Sequence, residues 1–157
     1  MSNMTANNQI RTSGELNSAL NTQLANWSVL GVKLHNYHWF VKGPQFFTLH
    51  AKFEELYDTA AGYVDELAER LLAIGGKPAA TMSEYLKLSL IQEASGEQSA
   101  EQMVEALAAD LGTIAKGLKV GIEAAGEQED DVTADLFTGM KADVEKQAWM
   151  LSAFLGK

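Results

Sequence analysis

Histidine and acidic side chains are the residues of this sequence whose types and spacing could support chemistry. All three histidines, His35, His38 and His50, fall within sixteen residues of one another. The chain contains no cysteine, which excludes disulfides, zinc–thiolate sites and thiol catalysis. Any metal ion must therefore be held by imidazole nitrogen and carboxylate oxygen, a donor set that suits iron, manganese or zinc better than calcium. The alternative for each histidine is a structural role, capping a helix end next to the break in which the three cluster.

Three acidic residues continue this pattern beyond the last histidine. Glu54 lies four residues after His50. Asp65 follows eleven residues later, and Glu69 four residues after that. Because an α-helix turns by about 100° per residue, steps of four and eleven return almost to the same direction, and the four side chains share one stripe. A buried carboxylate is costly unless it is paired or binds a metal ion, so the stripe is a candidate metal site. Exposure to solvent is the alternative, and it explains the neighbouring acids well: Glu55, Asp58 and Glu66.

Distance decides how such a site must be assembled. On one straight helix His50 and Glu69 lie about 28 Å apart, and Glu54 and Asp65 about 16 Å apart. One chain therefore cannot bring both halves of the stripe to one metal ion. Two copies of the helix running antiparallel across a two-fold axis can, because the His50 end of one copy then faces the Glu69 end of the other, and two equivalent sites result. His38, at the end of the preceding helix, could complete the histidine side.

Long periodic segments must position these residues. Only two prolines occur, each in a short glycine-marked break between segments of good helix formers. Apolar residues recur at three- and four-residue steps in a first segment, predicting a helix from the capping residue Thr12 to about Trp39. A second periodic segment of about 30 residues carries the acidic stripe and ends at Gly75 and Gly76.

Three more helices complete the prediction. A short connector covers EYLKLSL and is started by Thr81. Ser99 caps a third long helix that runs to about Gly126, and Asp131 is the predicted N-cap of the fourth. Four long helices with one long crossover in the middle predict an all-α fold, a ferritin-like four-helix bundle with a short extra helix between its second and third helices.

The histidines do not fit the usual di-iron centre inside a single bundle. That centre needs a Glu-x-x-His motif on each of two helices. The residues three positions before the histidines here are Val32, His35 and Phe47. A metal centre within one bundle is therefore disfavoured.

Composition limits the class of protein. A length of 157 residues with 46% hydrophobic content predicts one folded domain, over residues 12–157, after a flexible polar tail at residues 1–11. The net charge of −9 makes nucleic acid an unfavourable partner. No apolar run approaches the roughly 18 residues that span a bilayer, and the polar N-terminus has no secretory h-region. We expect no membrane partner and a cytoplasmic location.

One continuous stretch resembles a known family. HNYHWFVKGPQFFTLHAKFEELYDTAAGYVDELAERLLAIGGKP is similar to the Dps family, the mini-ferritins named as DNA-binding proteins from starved cells. The likeness in helix layout, short connector included, extends from about Thr12 to Lys157. The spacing His-x(11)-His-x(3)-acid-x(10)-Asp-x(3)-Glu is much more specific than an isolated His-x-x-His.

The resemblance implies particular site residues. It places a di-iron ferroxidase centre at the dimer interface, with His38, His50 and Glu54 supplied by one subunit and Asp65 and Glu69 by its neighbour. Many relatives have aspartate at the position of Glu54.

The resemblance also implies an activity. The protein would be a hollow homododecamer that oxidises Fe(II) to Fe(III), preferably with hydrogen peroxide. It would store the ferric mineral inside and protect the cell from oxidative damage. Iron would occupy the centre, and zinc or another divalent metal could substitute. Trp39, next to His38, could serve as a sacrificial electron donor; the alternative is an interface aromatic.

Acidic charge is concentrated in one region. Residues 97–135 carry ten acids and two lysines, a net charge of −8. In mini-ferritins the corresponding region lines three-fold pores, which implies that an acidic group there draws Fe(II) inward. The candidates are Glu127, Asp130, Asp131 and Asp135, with Asp130 and Asp135 the principal ones. A solvated loop is the alternative.

Two further classes of function compete with iron oxidation. A DNA-compacting protein is one, but relatives that bind DNA generally use lysine-rich tails, and residues 1–14 contain Arg11 as their single basic side chain. The chain also stops at Lys157, directly after the fourth predicted helix. We therefore expect no appreciable DNA binding. A bundle that serves assembly without metal chemistry is the other alternative.

Overall fold

A computed structural model describes residues 14–157, which form five helices and no strand. The helices are α1 (Gly14–Phe40), α2 (Phe46–Ala73), α3 (Met82–Leu88), α4 (Ala100–Glu127) and α5 (Asp131–Phe154). Helix α1 packs along α2, and α4 packs along α5. Helix α1 also contacts α4, and the short α3 lies against α1. The predicted all-α, ferritin-like four-helix bundle with a short extra helix in the crossover is confirmed.

Two predicted helix starts are present as expected. The Thr81 side chain accepts a hydrogen bond from the backbone N–H of Glu84 at the start of α3. Ser99 and Gln102 form a complete capping box at the start of α4. The predicted start at Thr12 lies outside the described residues.

The predicted cap of the last helix is wrong by one residue. Asp130, not Asp131, is the N-cap of α5, because its side chain accepts from the backbone N–H of Thr133. The chain enters this position through a tight turn in which Glu129 has a φ of 56°. Asp131 is the first residue of the helix itself.

Apolar side chains from all four long helices meet in one core. The largest buried ones include Tyr37, Phe53 and Phe137. Phe137 packs directly against Gly121, where a Cβ atom would lie 2.7 Å from its ring. A glycine at this point of α4 therefore permits α4 and α5 to approach closely.

Polar side chains on α1 hold the crossover and the opposite helix. Asn26 accepts a hydrogen bond from the backbone N–H of Leu90. Lys33 and Asp110 form a buried ion pair between α1 and α4, with Nζ and Oδ2 2.8 Å apart. Burial raises the pKa of Asp110, although Lys33 opposes that shift. Within residues 14–157 no helix has the length and apolar content to cross a membrane.

Candidate metal centre

His38 and His50 form a reciprocal pair at the junction of α1 and α2. The Nδ1 atom of His38 lies 2.6 Å from the backbone oxygen of His50. The Nδ1 atom of His50 lies 2.7 Å from the backbone oxygen of His38. The two rings stack with their centroids 3.7 Å apart and their planes 11° from parallel. Each histidine thus orients the other across the break between the helices.

These contacts determine which ring nitrogen can bind a metal ion. A backbone oxygen can only accept a hydrogen bond, so Nδ1 carries the proton in both neutral rings. Both Nε2 atoms therefore keep a free lone pair. A backbone carbonyl accepts from the other nitrogen of each ring and fixes its orientation, as is common for histidines that bind a metal ion. The His38 carbonyl is one of the last four of α1, which lack partners within the helix. The capping role and the ligand role considered for these histidines are therefore compatible.

Glu54 lies one turn along α2 from His50 and is connected to the histidines through Tyr57. The Tyr57 hydroxyl donates to Glu54 Oε1 at 3.2 Å. The Tyr57 ring stacks on His35 at 3.8 Å and meets the ring of His38 edge-on at 5.3 Å. Burial, and then the negative charge of Glu54, raise the pKa of Tyr57 and keep its phenol protonated.

Asp65 and Glu69 follow on the same helix, away from the histidines. Their side chains are exposed, as is that of Glu54. Within residues 14–157 no three His, Asp or Glu side chains come close enough together to hold a metal ion. One chain thus carries a fragment of the predicted centre at each end of the stripe.

The middle of the stripe carries small, exposed residues. Ala61 and Gly62 are both exposed and lie between Glu54 and Asp65 on α2. A Cβ atom added at Gly62 would meet nothing within 4 Å outside its own helix turn. Small residues at this point leave room for another helix to pack closely.

Large apolar side chains close to the histidine pair in the sequence are exposed on the protein surface. Trp39 is 67% exposed, Phe40 61% and Phe47 85%. The Trp39 ring contacts His35 at 5.4 Å between centroids. Such a concentration of exposed aromatic side chains is typical of a surface that another protein chain covers.

The predicted pore acids do not share one environment. Glu127, Asp131 and Asp135 are exposed around the turn between α4 and α5. Asp130 is only 5% exposed and pairs with Arg70 of α2, with its Oδ1 atom 3.0 Å from the guanidinium. Arg70 balances the charge of Asp130, so this residue, expected to be a principal pore acid, is less suited to attract a cation than the three exposed acids.

Several interactions hold Asp130 in its ionised form. Burial disfavours the charge, but hydrogen bonds from Thr133 and then the guanidinium of Arg70 outweigh burial and lower the pKa of Asp130. Arg70 also donates through Nε to the Thr133 hydroxyl at 2.9 Å. A single network therefore joins α2 to the start of α5.

Sequence reasoning overlooked Tyr57 and Arg70. Tyr57 stands three residues after Glu54, a spacing at which side chains on a helix are neighbours, and this signal was present in the sequence. Arg70 lies 60 residues from Asp130, and no local pattern indicates that they pair.

Family, sequence and structure comparisons with known proteins all indicate the same family. Residues 17–157 match the Ferritin-like domain family. The chain is 58% identical over 138 residues to DNA protection during starvation protein 2 of Bacillus anthracis, an alignment covering 88% of this chain and 94% of that relative. The crystal structure of Dps from Staphylococcus aureus matches with a TM-score of 0.90 at 52% identity, covering 92% of this chain and 97% of the other.

A more distant structure adds a description of the superfamily. Dps from Vibrio cholerae O1, described as a member of a broad superfamily of ferritin-like diiron-carboxylate proteins, matches with a TM-score of 0.86 at 36% identity. The match covers 89% of this chain and 88% of that one. From its helix arrangement and these similarities, the chain belongs to the Dps family of ferritin-like proteins.

Proposed function

We propose that this protein is a ferroxidase that binds Fe(II) between two-fold-related subunits, oxidises it with hydrogen peroxide in preference to oxygen, and stores the ferric product in a hollow homododecamer. The observation that carries the proposal is the reciprocal pair of His38 and His50. It leaves two Nε2 lone pairs free in a chain whose described part brings no three histidine or acidic side chains together around one metal position. The missing ligands must then come from elsewhere.

A second copy of α2 can supply them. In an antiparallel pair the histidine end of one stripe faces Asp65 and Glu69 of the other copy, and Ala61 and Gly62 lie near the axis. Close packing there is sterically open, because a Cβ atom added at Gly62 would meet nothing within 4 Å outside its own helix turn. The exposed Trp39 lies beside the histidines and would be covered by the same partner.

The ligand set suits a pair of iron ions. Imidazole lone pairs lie in the ring planes, so two nearly parallel rings cannot converge on one ion, whereas each can bind its own. Carboxylates favour Fe(III) over Fe(II) because of its higher charge. Zinc or another divalent ion can occupy the same donors.

A pair of Fe(II) ions can reduce hydrogen peroxide without releasing hydroxyl radical. Reduction of one peroxide to two waters takes two electrons and two protons. Two Fe(II) ions at one centre supply both electrons, so no hydroxyl radical is released. This outcome protects DNA and other cell components without contact between protein and DNA. The name of the Bacillus anthracis relative refers to DNA protection, and for this chain we retain the expectation of no appreciable DNA binding.

Acidic side chains near the start of α5 can supply the iron. Three of the predicted pore acids are exposed and form no ion pair within residues 14–157: Glu127, Asp131 and Asp135. A three-fold arrangement of such acids focuses negative potential and concentrates Fe(II) at the entrance of a pore. Asp130 is not included because Arg70 balances its charge.

A mixing experiment tests the shared site. The variants His38→Ala and Glu69→Ala are each expected to lose oxidation of Fe(II) by peroxide. When the two are co-expressed in equal amounts, random pairing restores both intact halves in about a quarter of the centres, and that fraction of activity returns.

A control variant, and a result that would contradict the shared centre, complete this experiment. Glu66→Ala removes an exposed acid on the same helix and should leave oxidation at the wild-type rate. Stopped-flow absorbance of the ferric product gives the oxidation rate of the wild type, the three variants and the mixed oligomer. No recovery in the mixed oligomer, although both chains are incorporated, contradicts a centre shared between subunits.

A further inference from the structure

His35 is the histidine of this sequence that the proposed metal centre does not use. It is half-buried on α1, one turn before His38. Its Nδ1 atom lies 2.7 Å from the backbone oxygen of Gly31, so Nδ1 carries the proton in the neutral ring. The face of the ring stacks on Tyr57 of α2, with the centroids 3.8 Å apart and the planes 11° from parallel. A hydrogen bond thus fixes His35 to its own helix, and its flat ring packs against the neighbouring one.

Two contacts from α1 fix the ring of Tyr57. One is the stack on His35, and the other is an edge-on contact with His38, at 5.3 Å between centroids and 86° between planes. Rings that meet at such distances and angles attract each other and restrict rotation of the side chain. The position of the phenolic hydroxyl is therefore set by α1, although Tyr57 belongs to α2. That hydroxyl donates to Glu54 Oε1 at 3.2 Å.

Glu54 is the proposed ligand that benefits from a fixed partner. Backbone carbonyls orient His38 and His50, whereas Glu54 is exposed and its side chain has several rotatable bonds. Holding such a side chain in one conformation costs entropy when a metal ion binds, and a partner that holds it beforehand lowers that cost. Because the phenol occupies Oε1, Oε2 is the carboxylate oxygen available to a metal ion.

We propose that His35 and Tyr57 are positioning residues that hold Glu54 ready to bind Fe(II) through Oε2, and that neither residue binds the metal ion itself. This inference rests on the proposed ferroxidase function and deepens it. The Gly31 carbonyl fixes His35, His35 stacks on Tyr57, and Tyr57 orients Glu54. A hydrogen bond to an ionised carboxylate is stronger than one between neutral groups, which suits this last step.

A Co(II) titration of the full-length oligomer tests the role of Tyr57. Without an added oxidant Co(II) reports binding alone, and its visible absorption depends on the arrangement of its ligands. Tyr57→Phe keeps the ring, removes the hydroxyl, and should weaken binding about tenfold while changing the absorption of bound Co(II). Glu54→Ala should weaken binding at least as much. The combined variant should bind no more weakly than Glu54→Ala, because Tyr57 acts through Glu54. Wild-type affinity in Tyr57→Phe, or losses that add, would overturn the proposal.

Two substitutions of His35 separate positioning from ligation. The Nε2 atom of His35 keeps a lone pair, so direct binding of the metal ion is the competing role. His35→Phe keeps a flat ring beside Tyr57 without any nitrogen and should bind Co(II) as the wild type does. His35→Ala removes the stack and should bind more weakly. A loss in His35→Phe as large as that in His38→Ala shows that His35 is a ligand, and wild-type affinity in His35→Ala removes it from the positioning contacts; either result contradicts the proposal.

Tyr63 offers a matched control for the loss of a phenol. It lies on the same helix, is half-buried, and also donates to a carboxylate, that of Asp143, at 2.7 Å. Its ring contacts Trp27, which is not a proposed ligand. Tyr63→Phe should therefore keep the Co(II) affinity and absorption of the wild type. A change equal to that in Tyr57→Phe would mean that loss of any phenol from α2 disturbs the centre, against a specific role for Tyr57.

Fe(II) oxidation by the wild type and Co(II) binding by His38→Ala are measured in parallel. Normal oxidation together with unchanged Co(II) binding in Tyr57→Phe contradicts the positioning role alone. Absence of oxidation, or Co(II) binding that His38→Ala leaves unchanged, contradicts the proposed ferroxidase centre and with it the basis of this inference.

Discussion

His38 and His50 use their two ring nitrogens for different purposes. Each Nδ1 stabilises the junction between α1 and α2 by donating to the backbone of the other residue. Each Nε2 keeps a lone pair with which it can bind a metal ion. The two roles can be separated by substitution because asparagine and glutamine place an amide near different positions of the imidazole ring.

His50→Asn is the variant that separates them. Its amide can still donate to the His38 carbonyl, so stability should change by less than about 1 kcal/mol. It has no group at the position of Nε2, so Fe(II) oxidation should fall on the order of 100-fold. Thermal unfolding and stopped-flow oxidation measure the two effects. His50→Gln should show the larger loss of stability. Wild-type oxidation by His50→Asn would mean that His50 is only a helix cap.

At the scale of the helices, the ion pair of Arg70 and Asp130 joins the helix that carries the proposed metal ligands to the helix that carries the proposed pore acids. Arg70 directly follows the proposed ligand Glu69 on α2. Its partner caps α5, the helix that carries Asp131 and Asp135. The ion pair therefore fixes the position of the acidic turn relative to the metal ligands, although neither of its members is exposed enough to attract ions strongly.

This connection has a defined dependence on pH. The pKa of Asp130 is lower in the folded protein than its ordinary value of 3.8, so its contribution to stability is present above that value and is lost as pH falls through the folded pKa. Asp130→Asn should cost about 1.5–3 kcal/mol near pH 7. The difference from wild type should shrink below about pH 4.

Thermal unfolding as a function of pH checks this expectation. Asp131→Asn serves as the control, because its exposed side chain makes a stability change within about 0.5 kcal/mol. A difference between wild type and Asp130→Asn that stays constant from pH 7 to pH 3 would show that the ion pair does not carry the effect.

At the scale of the whole molecule, the acidic stripe is the surface that we propose pairs with a second copy of the chain. Its carboxylates, its small central residues and the nearby aromatic side chains are all exposed in the single chain. In the proposed dodecamer, twelve copies at −9 each would give a shell of about −108 before counterions. The same negative charge that opposes binding to nucleic acid would therefore favour accumulation of Fe(II) in the proposed assembly.

Gly62→Leu tests the assembly. The bulky side chain meets open space in one chain, so the bundle should fold, but it blocks close approach of two α2 helices. Light scattering should give about 200 kDa for the wild type, as expected for twelve chains of 17.0 kDa, and a much smaller mass for the variant. Gly62→Ala should remain close to wild type. A full-sized Gly62→Leu oligomer would argue against pairing through this surface.

Local patterns in the sequence predicted most of the fold. Helix spans follow from apolar residues that recur every three or four positions, and the starts at Thr81 and Ser99 follow from side chains that bond to a backbone N–H three residues away. The stripe from His50 to Glu69 was visible for the same reason, since positions on one helix are related by its fixed rotation per residue.

By itself the sequence determined the helices, the nitrogen and oxygen donor set, and the separation of His50 from Glu69 that excludes a centre within one chain. Only the tertiary structure decided which nitrogen of each histidine is free, that Tyr57 contacts the proposed ligand Glu54, and that Arg70 balances the charge of Asp130. The reason is physical: helical periodicity depends on neighbours within one turn. The orientation of a ring or the pairing of a buried charge depends instead on side chains that packing brings together, in the case of Arg70 and Asp130 from 60 residues apart.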